Sequence, residues 1–183
     1  MTSKGKPKSG TINDALDLLK ADHDKVKRLF REFEDLKSSD DDDQRKAELV
    51  DEICYELTVH AMIEEEIFYP AVRAAIEDDD LMDEADVEHA GARELIRQLE
   101  VLYPGDDHFH TTVTVLGEEV AHHIGKEESD MFDAVRGAGL DLEDLGEQLA
   151  TRKDELDEDL SSPPSAIDAM SPHDMRRPPR APN

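Results

Sequence analysis

Residues 56–73 can be laid over residues 119–136 without a gap, and the same letters coincide. His60 falls on His123, Glu64 on Glu127, Glu65 on Glu128, Ala71 on Ala134, Val72 on Val135, Arg73 on Arg136 and Glu56 on Glu119. A second overlay, 23–36 on 89–102, matches His23 with His89, Leu29 with Leu95, Arg31 with Arg97, Glu34 with Glu100 and Leu36 with Leu102. The two offsets, 63 and 66, differ by three residues, which a connecting loop absorbs. The chain reads as one helix hairpin written twice. Each copy carries a lone histidine and then His-x-x-x-Glu.

One such motif means little. With 21 glutamates in 183 residues, chance places one four positions after a given histidine about once in nine. Two in register, each with a matching histidine upstream, point to a shared structural reason.

The apolar periodicity names the element type. Leu16, Leu19, His23, Val26, Phe30 and Phe33 step by three and four; so do Ala85, His89, Ala92, Ile96, Leu99 and Tyr103. Val113, Leu116, Val120, His123, Glu127, Met131 and Ala134 form a third stripe, and Ile53, Glu56 or Leu57, His60, Glu64, Ile67 and Ala71 a fourth. These spacings predict helices over about 12–36, 45–76, 82–102 and 107–136, with a short fifth over 141–158. Thr11 and Asp14 read as a capping pair, Pro70 as a kink or stop, "YPGDD" as a turn and "RGAG" as a terminator. The expected fold is all-α: an antiparallel up-down-up-down four-helix bundle made of two repeated hairpins, plus the short C-terminal helix. Residues 1–10 read as a flexible lead-in, 11–138 as the bundle, 139–160 as the added helix, and the proline-rich 161–183 as a disordered tail.

Every predicted stripe contains a histidine, and two also contain a glutamate. On a helix, positions four apart share a face about 6 Å apart along the axis. Burying imidazoles and carboxylates there is costly unless something satisfies them. Mutual hydrogen bonds would serve, and a cation would serve all of them at once. His23 with His60, and His89 with His123, suggest two metals, with Glu64 and Glu127 placed to bridge them. Imidazole plus carboxylate suits iron, manganese or zinc. A single cysteine, Cys54, set in an apolar pattern, argues against a structural zinc site or an iron–sulfur cluster and reads as a core thiol.

The net charge of −26 argues against nucleic acid or an anionic membrane as partner, since both select basic surfaces. No apolar run approaches the ~20 residues of a membrane span, and "MTSKGKPKSG" lacks the apolar stretch of a secretory signal. Cytoplasmic residence is the expectation; the oligomeric state is left open.

Residues 12–136 resemble the hemerythrin-like HHE cation-binding domains, and "LDLEDLGEQLATRKDEL" is similar to the segment that follows in bacterial members. The resemblance implies a four-helix bundle around a non-haem di-iron centre, oxo- or hydroxo-bridged, with manganese or zinc ranked behind iron. Carried onto matching positions, it implies His23, His60, Glu64, His89, His123 and Glu127 as metal ligands. Hemerythrins proper add a histidine four places after the one on the third helix, where this chain has Arg93. They also use an aspartate five places after the last histidine, where this chain has Glu128 at five and Glu127 at four. One iron is thus a histidine short, a gap for water or for Glu128, Glu65, Glu56 or Glu119 to fill.

The remaining candidates take plainer readings. Glu56 and Glu119 are as suited to orienting an imidazole as to facing solvent. His122 points about 100° from His123 and reads either as surface or as a neighbour that supports the ligand residues. His108, His110 and His173 read as loop or tail residues. Tyr55, Phe68 and Tyr69 read as packing, with Tyr55 within possible approach of the metals, and Arg73 and Arg136 as ion-pair residues.

The functional expectation is a protein that binds dioxygen, nitric oxide or a related small ligand at an open iron position, with no catalytic residue assigned. The alternatives are a di-iron enzyme acting on hydrogen peroxide, nitric oxide or ferrous iron, and a metal-free acidic helical scaffold.

Overall fold

The computed structural model of the chain describes residues 14–36, 42–76 and 78–161. The segments where the lead-in, most of the tail and Thr11 fall lie outside them. Helix α1 spans Ala15–Leu36, α2 Asp43–Ile63, α3 Tyr69–Ala75, α4 Asp79–Leu99, α5 Phe109–Lys126, α6 Phe132–Gly137 and α7 Leu142–Ser161. Two π-helical turns, Glu64–Phe68 and Glu127–Met131, join α2 to α3 and α5 to α6. The four long rods of the bundle are therefore α1, α2–α3, α4 and α5–α6.

Local signals fix the helix starts. The Asp14 carboxylate accepts from the Asp17 amide at 2.9 Å, Asp78 from Leu81 at 3.1 Å and Asp141 from Asp144 at 3.1 Å. Each satisfies an amide that the first turn leaves without a carbonyl. The α4–α5 turn uses Gly105 at φ +102° and His108 at +74°, and Gly139 at +76° follows α6. These are the left-handed values a reversing chain needs.

α1 packs on α2, α4 on α5, α2 on α4 and α1 on α5, closing a four-membered ring. Two apolar cores fill it. One gathers Leu29, Phe33, Leu49, Ile53, Leu99, Phe109 and Leu116. The other gathers Leu16, Leu19, Ile63, Phe68, Val72, Met82 and Phe132. Both contain residues one turn from the histidines, Val26 and Val120 in the first and Leu19 and Ile63 in the second, so the histidine layer lies between them.

α7 is longer than the sequence suggests, at 20 residues. It lies across α1, α2 and the first π turn, burying Leu145, Leu149 and Leu156 in the second core. At Gly146 the helices come so close that a Cβ would stand 2.8 Å from the Ala15 nitrogen, so only glycine fits without a backbone shift. No described helix is long and apolar enough to cross a membrane.

Pro70 neither ends nor breaks its rod. It follows the first π turn at the start of α3, and helix continues to Ala75. The same π turn forms in the second copy, where Asp133 stands in proline's place. Proline is thus tolerated by the turn and is not its cause.

Candidate metal centre

The four histidines predicted from the repeat enter one layer of the bundle, from α1, α2, α4 and α5. His23, His60, His89 and His123 are 1%, 6%, 6% and 8% exposed, and Glu64 and Glu127 are buried beside them. The rings pair within each hairpin. His23 Nε2 lies 3.2 Å from His60 Nε2, and His89 Nε2 lies 3.2 Å from His123 Nε2. Both pairs meet edge to face, with centroids 4.8 and 4.7 Å apart.

The donors form two groups, each able to surround one cation. His23, His60, Glu64 and Glu127 make the first; Glu64, His89 and His123 make the second. Glu64 belongs to both, with Oε1 3.1 Å from His60 Nε2 and Oε2 3.4 Å from His89 Nε2. Glu127 belongs to the first group alone, with Oε2 3.1 Å from His23 Nε2. Of the two carboxylates expected to bridge, Glu64 is the one shared.

Those short distances are not aligned hydrogen bonds. Glu64 Oε1 and both oxygens of Glu127 are buried without a hydrogen-bond partner. Buried carboxylate oxygens with open lone pairs are costly. The donors aim at common points between them more than at each other, as a cation-binding set does. Imidazole and carboxylate without thiolate fit iron, manganese or zinc.

Each ring has an acid at its outer face, within hydrogen-bond distance at His23, His89 and His123 but not at His60, and the four acids follow one rule. Asp22, beside His23 on α1, faces His60 Nδ1 of α2 at 3.7 Å. Glu65, beside Glu64, takes the Nδ1 proton of His89 at 2.8 Å. Glu88, beside His89, takes that of His123 at 2.8 Å, and Glu128, beside Glu127, that of His23 at 3.1 Å. Each rod thus supplies an inward donor and, next to it in the chain, an acid for the neighbouring rod's histidine. Adjacent helical residues point about 100° apart, close to the right angle between neighbours in a four-membered ring. At His23, His89 and His123 these contacts favour a proton on Nδ1 and turn Nε2 toward the centre.

Glu65 and Glu128 therefore serve outside the ring and do not fill the missing-histidine position. Glu56 instead accepts from Lys25 at 2.6 Å, and Glu119 is exposed; neither orients an imidazole. Arg93 pairs with Glu65. His122 is exposed, 3.5 Å from Glu88. Arg73 pairs with Asp83 and Asp86, and Arg136 with Asp133, as ion-pair residues. The Tyr55 hydroxyl turns to α7 and donates to Asp157 at 2.6 Å, so it does not approach the donors.

Tyr69 does. Its hydroxyl lies 3.2 Å from His89 Nε2, 3.4 Å from His123 Nε2 and 3.4 Å from Glu64 Oε2. It is a seventh donor and gives the second group its fourth member. On a regular helix, positions five apart diverge by about 140°. The π turn instead bonds the Tyr69 amide to the Glu64 carbonyl and brings residue 69 under residue 64. Phe132 holds the equivalent place in the second copy and stacks on His23 at 6.1 Å, with no oxygen to offer. The repeat carried the available signal: at one pair of matched buried positions, one aromatic has a hydroxyl and the other does not.

Electrostatics follow from burial among these partners. Burial alone would lower the pKa of His60, but the Glu64 charge and the contacts to Asp22 and Glu64 carry it up to about 10. His89 is raised in the same way, against its burial, by Glu64 and Glu65. Burial would raise Glu64, yet His60 and His89 hold it well below the usual carboxylate range. Glu127 is pushed up by burial and by the Glu64 charge. Tyr69 is pushed well above the normal phenol value by burial and the same charge. Without a cation, one carboxylate is pinned as an anion while its neighbour resists ionising.

Comparison with known proteins agrees with this geometry. The pattern of the hemerythrin HHE cation binding domain matches residues 14–135. A Nostoc protein named DNA nickase is 33% identical over 120 residues, covering 66% of this chain and 33% of its own length; the chain spans a third of that relative. An uncharacterised protein of Mycobacterium tuberculosis is 30% identical over 153 residues, covering 78% of this chain and 87% of its own. The crystal structure of a hemerythrin HHE cation binding domain-containing protein from Mycobacterium kansasii superposes with a TM-score of 0.68 at 26% identity, over 80% of this chain and 88% of that one. With the paired His-x-x-x-Glu hairpins and the buried donor layer, these matches establish that the chain belongs to the hemerythrin HHE cation binding domain family.

Proposed function

We propose that this chain is a non-haem di-iron protein that binds dioxygen or a related small ligand, such as nitric oxide, at an iron with an open position. One observation carries the reading: fully buried Glu64 reaches both donor groups, while its Oε1 and both Glu127 oxygens lack a hydrogen-bond partner. His23, His60, Glu64 and Glu127 would hold one ion, and Glu64, His89, His123 and Tyr69 the other. Two irons would supply electrons and an open coordination position, which the side chains lack. The protein's part is to fix the rings through their outer acids and to exclude water. Phe68, Phe132 and Met131 close one side of the layer. An apolar cavity bordered by all four histidines lies on the other and offers a small molecule its approach.

The partner in this reading is a small molecule. A net charge of −26 repels a polyanion, so the name of the Nostoc relative is not carried over to this chain.

The test begins with metal analysis of protein purified without chelator, where about two irons per chain are expected. The reduced protein is then mixed anaerobically with dioxygen, nitric oxide or peroxide and followed optically, and the oxidised protein is titrated with azide. A reversible adduct and an azide-dependent spectrum support the proposal. Sustained peroxide turnover without loss of iron would replace it with an enzyme. Failure to take up iron on anaerobic loading would return the metal-free scaffold.

A further inference from the structure

We propose that the void beside the donor layer is a binding site for an uncharged apolar molecule about the size of benzene. The proposal rests on the reading above only for what the occupant would meet; the site itself is built by this chain's side chains.

The void comes from one under-filled layer. Val26 follows His23 by three residues, Leu57 precedes His60 by three, Ala92 follows His89 by three, and Val120 precedes His123 by three. Residues so spaced share a helix face, so these four make the next layer of the bundle. Three are branched and one is a single methyl. Ala61 adds a second small side chain on the same wall, and the cavity left is about 150 Å³. By comparison, the void beside Glu127 and Met131 holds about 10 Å³.

Size and chemistry select the occupant. The cavity's exposed walls are mainly apolar, although four histidines, three glutamates and Arg93 border it, and an apolar space of about 150 Å³ is large enough to accept benzene or xenon. A diatomic ligand is nearer in size to one water, whose share of liquid is about 30 Å³, and would leave most of the space empty. The polar groups at the cavity floor are the imidazoles. Their Nδ1 atoms face the outer acids and their Nε2 atoms face the metal positions, so little remains to solvate an ion. Glu65, Glu88 and Glu119 border the cavity with Arg93, and Arg93 is paired with Glu65. The excess of acid there disfavours anions.

The test is a benzene titration of the full chain carrying zinc, with benzoate as the charged control, followed by methyl NMR and thermal denaturation. The expected result is saturable shifts confined to the methyls that line the cavity, such as those of Val26, Leu57, Ala92, Ile96, Val120 and Ile124, with a raised Tm and no response to benzoate. Ala92→Leu should weaken benzene binding at least tenfold; Ala61→Leu is the second filler should the first fail to fold. Non-saturable shifts, shifts elsewhere, an equal response to benzoate, or unchanged affinity in both folded fillers would overturn the proposal. Iron uptake measured separately tells the two readings apart. Benzene binding without iron uptake keeps the cavity and loses the di-iron reading, and iron uptake without benzene binding does the reverse.

Discussion

Tyr69 and Phe132 occupy the same place in the two halves of the chain, 63 residues apart, and Tyr69 alone of the two brings an oxygen to the donor layer. Tyr69→Phe makes the halves alike. The variant is expected to fold, because Phe132 already shows that a phenyl ring fits the equivalent site. It should bind the second metal at least about tenfold more weakly, a loss on the scale of a disturbed metal environment. The visible spectrum of the ferric protein should also change. Metal competition with a chromophoric chelator, alongside the spectrum, checks both.

Glu64 and Glu127 should separate by stoichiometry. Glu64→Gln removes the carboxylate shared by both groups and is expected to lose most of both metals. Glu127→Gln touches the first group and should retain about one metal per chain. Their effects on the metal-free fold differ as well. Glu64 answers His60 and His89, and removing one partner of a buried pair costs about 3–5 kcal/mol. Glu127, with its pKa raised by burial and the Glu64 charge, loses little as a neutral amide. Metal analysis after dialysis and denaturant melts of the stripped proteins test the two halves of this prediction.

The stripped protein should lose stability as pH rises from about 6.5 to about 10. His60 has its folded pKa raised from 6.5 to about 10, so its contribution is complete below 6.5 and gone above 10. His89 and Glu127, both raised, act in the same direction. Glu64, depressed below 4.5, contributes above that value and is lost as acid is added. Glu64 loses its contribution below about pH 4.5 and Glu127 begins to lose its own above that value, so these groups together place the optimum near pH 4.5, with the larger fall above 6.5. Cations that displace the imidazole protons should bind more tightly as pH rises. Thermal melts across this range, with and without metal, should therefore show opposite trends above pH 6.5.

Helix α7 should influence the metals through one side chain. Lys153 donates to Asp22 at 2.5 Å, and Asp22 backs His60. Burial alone would raise the Asp22 pKa, but His60 and Lys153 hold it below normal. Arg152, the adjacent residue, pairs with Glu66 instead. Lys153→Met and Asp22→Asn are expected to weaken metal binding about 10–100-fold. Arg152→Met should leave it unchanged while removing a similar surface contact. Affinity measured by chelator competition in the three variants makes the comparison.

Much of this centre is legible in the letters, for a physical reason. His23, His60, Glu64, His89, His123 and Glu127 sit on stripes of regular 3.6-residue period, so spacing alone gathers them on inward faces. The outer acids were harder to find. Asp22 and Glu88 lie beside histidines in sequence yet serve histidines on other helices, and that pairing depends on how the rods are arranged. Glu65 and Glu128 read in the sequence as candidates to fill the missing-histidine position, because sequence does not tell the Nε2 side of a ring from the Nδ1 side. Tyr69 is not legible from the stripes, because the π turn breaks the regular helical period between residues 64 and 69. Tyr55 lies off that stripe and reaches Asp157 on α7, whose docking the stripes do not reveal.

The π turns carry a consequence for anyone who edits or compares such chains. Each hairpin holds one more residue than an even coil requires, and that spare residue decides which aromatic looks at the metals. Deleting Glu66 would remove the spare residue, set Tyr69 four places after Glu64 on a regular helix and keep it under that carboxylate. Spacing counted along the letters is therefore off by one across each turn: the residue five places after Glu64 stands where a regular helix sets the residue four places after it.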